Sequence, residues 1–486
     1  MIVTNYSDVQ TPQFRVLSDG QCQELYLASL ECLKRVGIKI NHPQAKELLA
    51  SAGARVESDR VYIPPYIIQD ALAIAPRTFT IWGRQGGKEM RIAPDRVHFG
   101  PGPTCTYFND PETGERRKAR RGDAGMTAKV CDALDNLDYV MSLSLLGNVT
   151  PVLSPVYEFA EMIANTGKPV IAWANNPETL ADIYQIAAAV AGSEKSLRER
   201  PNFAMFATYE SPLRHADGPV GNLLWAAEHE IPIVYLGGPT VGLESPATGA
   251  SALVIYLATA LSGLALAQLK RRGSPVVIGS VPAAMDLRTA RPAYGSPEMS
   301  LYSAAAVDLA RYVGVPFMGT AGASESKLLD SQAAIEISLQ ILTSALSGAS
   351  LVHDVGFLDC ADIGSLDLLV MADETISMVK RFMRGVQVNQ ETIMLDLIAK
   401  VGPGNHFLAE SKSASLCRSE IWIPRLMDRN AYAIWEKNGS KSMEDRVHEK
   451  LGQILSSHQP PELPAGVEDK IQSILARAEA RCRSVA

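Results

Sequence analysis

The chain has few of the features that announce a metal, a nucleotide or an export signal. Its seven cysteines (Cys22, Cys32, Cys105, Cys131, Cys360, Cys417 and Cys482) include no Cys-x-x-Cys pair, and its eight histidines show no His-x-x-x-His spacing. The ligand spacing of zinc sites is therefore missing, and no bound metal is expected. There is no Walker sequence and no Gly-x-Gly-x-x-Gly following a strand, so no bound nucleotide is expected either. A formal net charge of only −7 over 486 residues gives no reason to expect nucleic acid. The first residues, MIVTNYSDVQTPQF, lack both the basic patch and the apolar core of a signal peptide. Together with the scattered cysteines this makes a reducing cytoplasm the expected location.

One long uncharged run is present. Residues 245–269, SPATGASALVIYLATALSGLALAQL, are long enough to cross a bilayer and are followed by KRR. The run also contains Thr248, Ser251, Thr259, Ser262, Gly263 and Gln268 and lies between two strand candidates, so burial inside the protein is expected instead of a membrane span.

Short apolar runs begin near residues 97, 139, 169, 203, 232, 275, 315 and 350: VHFGPGP, YVMSLSLLG, PVIAWAN, FAMFATYESP, PIVYLGGPT, PVVIGSVP, VPFMGTAGASES and SLVHDVGFLD. Between them the apolar period turns helical, as after Asp123, where Met126, Val130, Ala133, Leu134 and Leu137 share one face. Further helical stretches start near Ser154, Pro177, Pro219, Ala247, Pro297 and Asp330. Eight doubly buried strands alternating with helices predict an α/β fold of the (β/α)8 TIM-barrel type. Residues 1–95 read as an N-terminal α+β elaboration, 96–385 as the barrel and 386–486 as a C-terminal helical extension, with HQPPELPAG as a linker before its last helix.

In such a barrel the groups that follow each strand collect at one mouth. Aromatic residues recur there: Tyr107 and Phe108, Trp173, Tyr209, Tyr235 and Phe357. With Glu210 and Glu325 they could enclose an alkylammonium, which offers no N–H and is held only by ring faces, carboxylate field and shape. Gly237 and Gly238, at the end of the fifth strand, leave room for a large flat ligand. His353, beside Asp354 in the eighth strand, is either a hydrogen-bonded structural histidine or a site residue. The cations Arg116, Arg117, Lys118, Arg120 and Arg121 after the first strand read as a solvated face or as a docking patch for an acidic partner.

The stretch YGSPEMSLYSAAAVDLARYVGVPFMGTAGASESKLLDSQAAIE (Tyr294 to Glu336), with SGASLVHDVGFLD, VGPGNHF and WIPRLMDRNAYAIW, resembles the trimethylamine methyltransferase family over most of the chain. The resemblance implies a barrel enzyme that passes a methyl group from an amine to the cobalt of a corrinoid carried by a separate protein. Archetypal members carry pyrrolysine near the seventh strand, whereas residues 316–332 here, PFMGTAGASESKLLDSQ, are all ordinary. Members lacking it resemble methyltransferases for quaternary amines, so glycine betaine is the expected donor, with trimethylamine or another methylated amine as the alternative. On that reading Tyr107, Tyr209 and Glu325 would face the donor's ammonium, Glu325 as a catalytic residue, Glu210 and Phe357 would also bind the donor, and Lys327 or Gln332 would face its carboxylate. His353 would be catalytic by positioning the corrinoid above Gly237 and Gly238. Two rival readings are a Schiff-base lyase using Lys327 and a non-catalytic amine-binding or scaffold subunit. Whether the chain forms a homo-oligomer is left open.

Overall fold

The computed structural model describes residues 10–84 and 88–485. Residues 1–9, most of the stretch inspected for a signal peptide, lie outside it. Seven parallel strands form one curled sheet in the order His98–Pro101, Leu351–Val355, Phe317–Thr320, Val276–Ser280, Ile233–Gly237, Phe203–Thr208 and Val170–Trp173. The remaining position, between the first and last of these, is filled by residues 138–141. There Asp138 N–H donates to Phe99 O (2.6 Å), Val140 N–H to Pro169 O (3.0 Å) and Ile171 N–H to Val140 O (2.9 Å). All eight sequence-predicted strands thus take barrel positions. The second is reduced to single bridges as the chain bends away, with Leu143 at φ +63°.

Each barrel position is followed by a covering helix: Arg121–Ala133, Ser154–Ala164, Pro177–Ala191, Asp217–Glu228, Gly249–Lys270, Pro297–Val313, Ser331–Ser347 and Leu366–Met383. Their starts are set by local chemistry. The side chains of Asn176, Thr248, Ser296, Asp330 and Ser365 accept from backbone N–H groups of the first turn, and prolines occupy the first turn at 155, 177 and 297. The apolar helix Gly249–Lys270 has 78% of its most apolar window buried, packed against helices Asp19–Arg35, Pro65–Ile74 and Asp217–Glu228. The N-terminal elaboration therefore covers the surface that a membrane would otherwise have to cover.

A second contribution of the N-terminal region is less visible in sequence. The hairpin Phe79–Trp82/Glu89–Ile92 places Ile81, Met90 and Ile92 in one cluster with Tyr139, Met141, Ile171, Ala204, Phe206, Val234, Leu236, Val277, Met318 and Leu351. These are the inward side chains of the strands, so the hairpin plugs the barrel at the end opposite the mouth and keeps the lumen dry from below. At the C-terminus, helix Met443–Ser457 packs on Leu366–Met383 and Arg121–Ala133, and helix Val467–Val485 packs on Pro177–Ala191.

Candidate active site at the barrel mouth

Leu351 points into the lumen, so alternation along the eighth strand brings His353 inward two residues later. Its ring meets Phe206 edge-on, with centroids 6.0 Å apart. The next residue breaks the alternation. Asp354 has φ +74°, and the pairing of this strand with the first shifts register between Val352 and Val355. Such a bulge re-aims a side chain. The Asp354 carboxylate accepts from the Thr320 hydroxyl and lies against His353 Nδ1. Gly102 leaves the space for this turn, because a Cβ there would overlap both Asp354 Oδ1 and the Phe357 ring.

His353 is only 3% exposed. Neither ring nitrogen makes a hydrogen bond among the described residues, although Nδ1 sits in ion-pair contact with Asp354. Buried polar atoms of native proteins are nearly always satisfied, and an imidazole nitrogen left without a partner, as Nε2 is here, is the kind of exception found where a ligand supplies one.

Two more rings join this group. Trp173 ends the third strand in register with Phe206 of the fourth, on the lumen side of Ile171. Its Nε1–H donates to Glu158 Oε2 (2.8 Å), and Glu158 Oε1 accepts from Ser154 Oγ (2.6 Å). Glu158 is fully buried, and desolvation pushes its pKa up. The carboxylate works as an orienting post for the indole. Tyr294 follows the hairpin Ala284–Asp286/Arg291–Ala293. Its phenol is driven well above its ordinary pKa by desolvation and by the charge of Asp354, so it stays protonated.

The sequence-nominated residues fall into different places. Glu325 does not face the lumen with a free carboxylate: its Oε1 accepts from the backbone N–H groups of Tyr294 (2.5 Å) and Gly295 (3.2 Å). It thereby fixes Tyr294, with Gln340 Nε2 donating to Tyr294 O (2.9 Å) and Ala323 O (2.8 Å). Tyr209 is buried, and its hydroxyl donates to the carbonyls of Gly237 (3.1 Å) and Gly279 (3.0 Å). That ring packs over Gly237, where a Cβ would collide with it, while Gly238 admits the Val281 backbone. Both glycines serve close packing at the partly exposed rim.

Glu210 pairs with Arg214 (2.8 Å), and Gln332 donates to Glu336 (2.9 Å). Phe357 is buried in the wall behind Gly102. Tyr107 has its ring covered by this chain's own cations, Arg116 at 3.9 Å and Lys118 at 4.3 Å from the centroid. Lys327 is an exposed rim residue that donates to Glu325 O (2.7 Å) and pairs with Asp359 (3.3 Å), which also holds Arg291 (2.9 Å). A solvated, paired lysine lacks the desolvation that activates a Schiff-base amine. Of the nominated set, only His353 stands inside the lumen with unspent polar atoms.

The run Arg116–Arg121 is largely consumed by the fold. Arg117 makes a two-pronged contact with buried Asp123 (2.6 and 3.0 Å) and a third with Asp110 (2.6 Å), while Arg121 pairs with Glu161 (2.5 Å). Among the described residues no cluster of three or more His, Cys, Asp or Glu side chains could hold a metal ion.

Comparison with known proteins agrees with this architecture. The family model "Trimethylamine methyltransferase (MTTB)" matches residues 3–482. The chain is 30% identical to trimethylamine methyltransferase MttB of Desulfitobacterium hafniense (strain DSM 10664 / DCB-2), covering 95% of this chain and 93% of the relative. It is 29% identical to glycine betaine methyltransferase of Desulfitobacterium hafniense (strain Y51), covering 96% and 97%. Among solved structures, the Methanosarcina barkeri monomethylamine methyltransferase (MtmB) aligns with a TM-score of 0.54 at 12% identity, over 91% of this chain and 88% of that one, a likeness of fold. With its eight-position barrel and a family match along nearly its whole length, the chain belongs to the trimethylamine methyltransferase family of methyl-transferring enzymes.

Proposed function

We propose that the protein, acting in the cytoplasm, moves a methyl group from a quaternary amine, glycine betaine first, to the Co(I) of a corrinoid carried by a separate protein. The observation that carries this reading is the group Trp173, Phe206 and Tyr294 around Asp354 and His353, whose Nε2 makes no hydrogen bond among the described residues, at the mouth of a barrel sealed from below. A permanent cation without N–H groups gains about 0.5–2 kcal/mol from each well-placed ring face, and Asp354 adds a fixed negative charge. The donor's carboxylate would turn to the rim, towards Lys327 and Arg291, which share Asp359.

The chemistry asks little of acids or bases. The Co(I) electron pair attacks the methyl carbon, a cobalt–carbon bond forms, and the C–N pair stays on nitrogen. A quaternary ammonium therefore leaves as a neutral tertiary amine with no proton to be supplied. Alignment is the main contribution of the protein. Trp173, Phe206 and Tyr294 hold the ammonium so that one methyl faces outward. His353 fixes the approach of the incoming corrinoid, and Gly237 and Gly238 keep that part of the rim low.

The test mixes the enzyme with cob(I)alamin and, separately, glycine betaine, carnitine, proline betaine or trimethylamine, following formation of methylcobalamin. Fastest conversion with glycine betaine is expected. Fastest conversion with trimethylamine would move the donor to the substrate named for several relatives, and conversion with none would overturn the reading.

A further inference from the structure

Methyl transfer as proposed above changes the charge of the site that performs it. A quaternary ammonium enters as a cation, and a neutral tertiary amine remains once the C–N pair has stayed on nitrogen. That amine stands among ring faces and beside the Asp354 carboxylate, surroundings that favour a cation. Its new lone pair points out of the lumen along the line the methyl took, towards the group it has just lost. Until a proton occupies that pair, the amine is the nucleophile of the reverse reaction.

His353 and Asp354 are arranged as a pair that delivers a proton. Asp354 is buried and accepts from the Thr320 hydroxyl, and among the described residues its ion-pair contact is with His353 Nδ1 alone. A carboxylate at one ring nitrogen orients an imidazole and stabilises its charged form, leaving the other nitrogen to act as acid or base. Here that other nitrogen, Nε2, is buried and makes no hydrogen bond among the described residues. The titratable groups around the pair do not compete for the proton. Cys105 of the first loop, Tyr139 of the second barrel position and Tyr294 of the sixth loop are each raised above their ordinary pKa, first by desolvation and then by the charge of Asp354, so they stay neutral. On the fourth strand the neighbour is the Phe206 ring.

We propose, in a step that rests on the function given above, that His353 is also a general acid: after C–N cleavage it passes the Nε2 proton to the amine, which leaves the site as a tertiary ammonium. The Nε2–H bond breaks with its pair left on the ring, and the new N–H bond forms from the pair that the C–N bond released. The ring regains a proton from water once the product has gone. An aliphatic amine is more basic than an imidazole by about four pH units, so the step runs downhill. It also closes the return path, because a protonated amine has no pair with which to retake the methyl.

Two donors separate this role from positioning. Glycine betaine leaves a basic amine, whereas its sulfonium counterpart, dimethylsulfonioacetate, leaves a thioether that takes up no proton near neutral pH. Loss of positioning slows transfer from both alike, and loss of the acid slows it from glycine betaine only. His353→Gln should therefore reduce methylcobalamin formation from glycine betaine at least tenfold more than from the sulfonium. A measurement that needs no variant is the wild-type rate ratio, glycine betaine over sulfonium. It should fall as pH rises through one ionisation, because the ring sheds the proton it has to give, and it should be flat in His353→Gln. Its midpoint should coincide with that of His353 followed by nitrogen NMR of histidine-labelled enzyme with glycine betaine bound and no cobalamin added. Equal losses with the two donors, a wild-type ratio indifferent to pH, or a midpoint unlike that of the ring would each overturn the role while leaving methyl transfer intact. No transfer from either donor by the wild type would overturn the proposed reaction and the role with it.

Discussion

Replacing Trp173 separates a ring that binds a cation from a ring that merely fills space. The indole sits at the mouth beside Phe206, and its Nε1–H is spent on Glu158. Trp173→Leu removes both the ring face and that hydrogen bond, whereas Trp173→Phe removes the bond and keeps a face. Both variants leave the buried Glu158 one donor short, at a cost of about 1–3 kcal/mol in stability, so their melting behaviour should be alike. Their affinities should differ. Loss of one cation–π face, about 0.5–2 kcal/mol, corresponds to roughly a 2- to 30-fold weaker Kd for glycine betaine in the leucine variant. Titration calorimetry with glycine betaine and with its tert-butyl analogue, in which quaternary carbon replaces nitrogen, isolates the charge. The preference for the cation should shrink in Trp173→Leu and persist largely in Trp173→Phe. Equal losses for both ligands, or equal behaviour of the two variants, would refute the reasoning and return Trp173 to packing.

Three other outcomes follow from the same geometry. His353→Ala deletes a buried ring that lies against Asp354, so it should cost about 2–5 kcal/mol in stability while keeping a cooperative melt, and lower methylcobalamin formation at least tenfold in the folded protein; a destabilised variant with full turnover would make His353 a core residue. Burial raises the folded pKa of Glu158 above its ordinary value, so its contribution to stability is present in acid and is lost as pH rises from the ordinary carboxylate value through the raised one. Urea melts should therefore show the difference, wild type minus Glu158→Gln, falling across that window, and a difference that grows with pH would contradict the assignment. Arg117→Ala strands Asp110 and buried Asp123 and should cost about 3 kcal/mol in urea unfolding, while the salt dependence of methyl transfer stays as in the wild type.

The barrel was legible because a parallel sheet covered on both sides must be written as apolar runs, and each run beginning near 97, 139, 169, 203, 232, 275, 315 and 350 occupies a barrel position. The mouth was less legible because a run apolar on both faces carries no phase. Nothing in FAMFATYESP shows that Phe206 faces the lumen while Tyr209 turns outward onto strand carbonyls. Asp354 enters only through a left-handed residue that inverts the alternation of its strand. Glu158 reads as one polar residue in the helix SPVYEFAEMIA, and its role depends on Trp173, fifteen residues away. Tyr294 stood at the start of the family-like stretch, and its partner Glu325 was selected for a role that its backbone contacts already occupy. Of the cations after the first strand, Arg117 and Arg121 could not be matched by sequence to Asp110, Asp123 and Glu161, which pair with them.

The way the mouth is built fits a reaction that needs alignment more than proton transfer. Val241 pairs with Ala284, which joins the loops after the fifth and sixth strands. Arg291 of the sixth loop holds Asp359 of the eighth, and Cys360 Sγ–H donates to Pro292 O (2.9 Å). Gln340, from the seventh helix, ties Tyr294 to Ala323. Two of these contacts, Arg291–Asp359 and Cys360–Pro292, join the loop that leads to Tyr294 to the loop that follows Asp354 and His353, and the others tie it to the fifth and seventh loops. Their bonding groups are satisfied by one another, so rigidity at the rim does not depend on a bound donor. A methyl carbon must lie between nitrogen and cobalt on one line, and a displacement of about 1 Å is enough to cost roughly a hundredfold in rate. Loops stitched in this way can hold that line while leaving His353 Nε2 without a hydrogen bond within the lumen, where an incoming ligand can engage it.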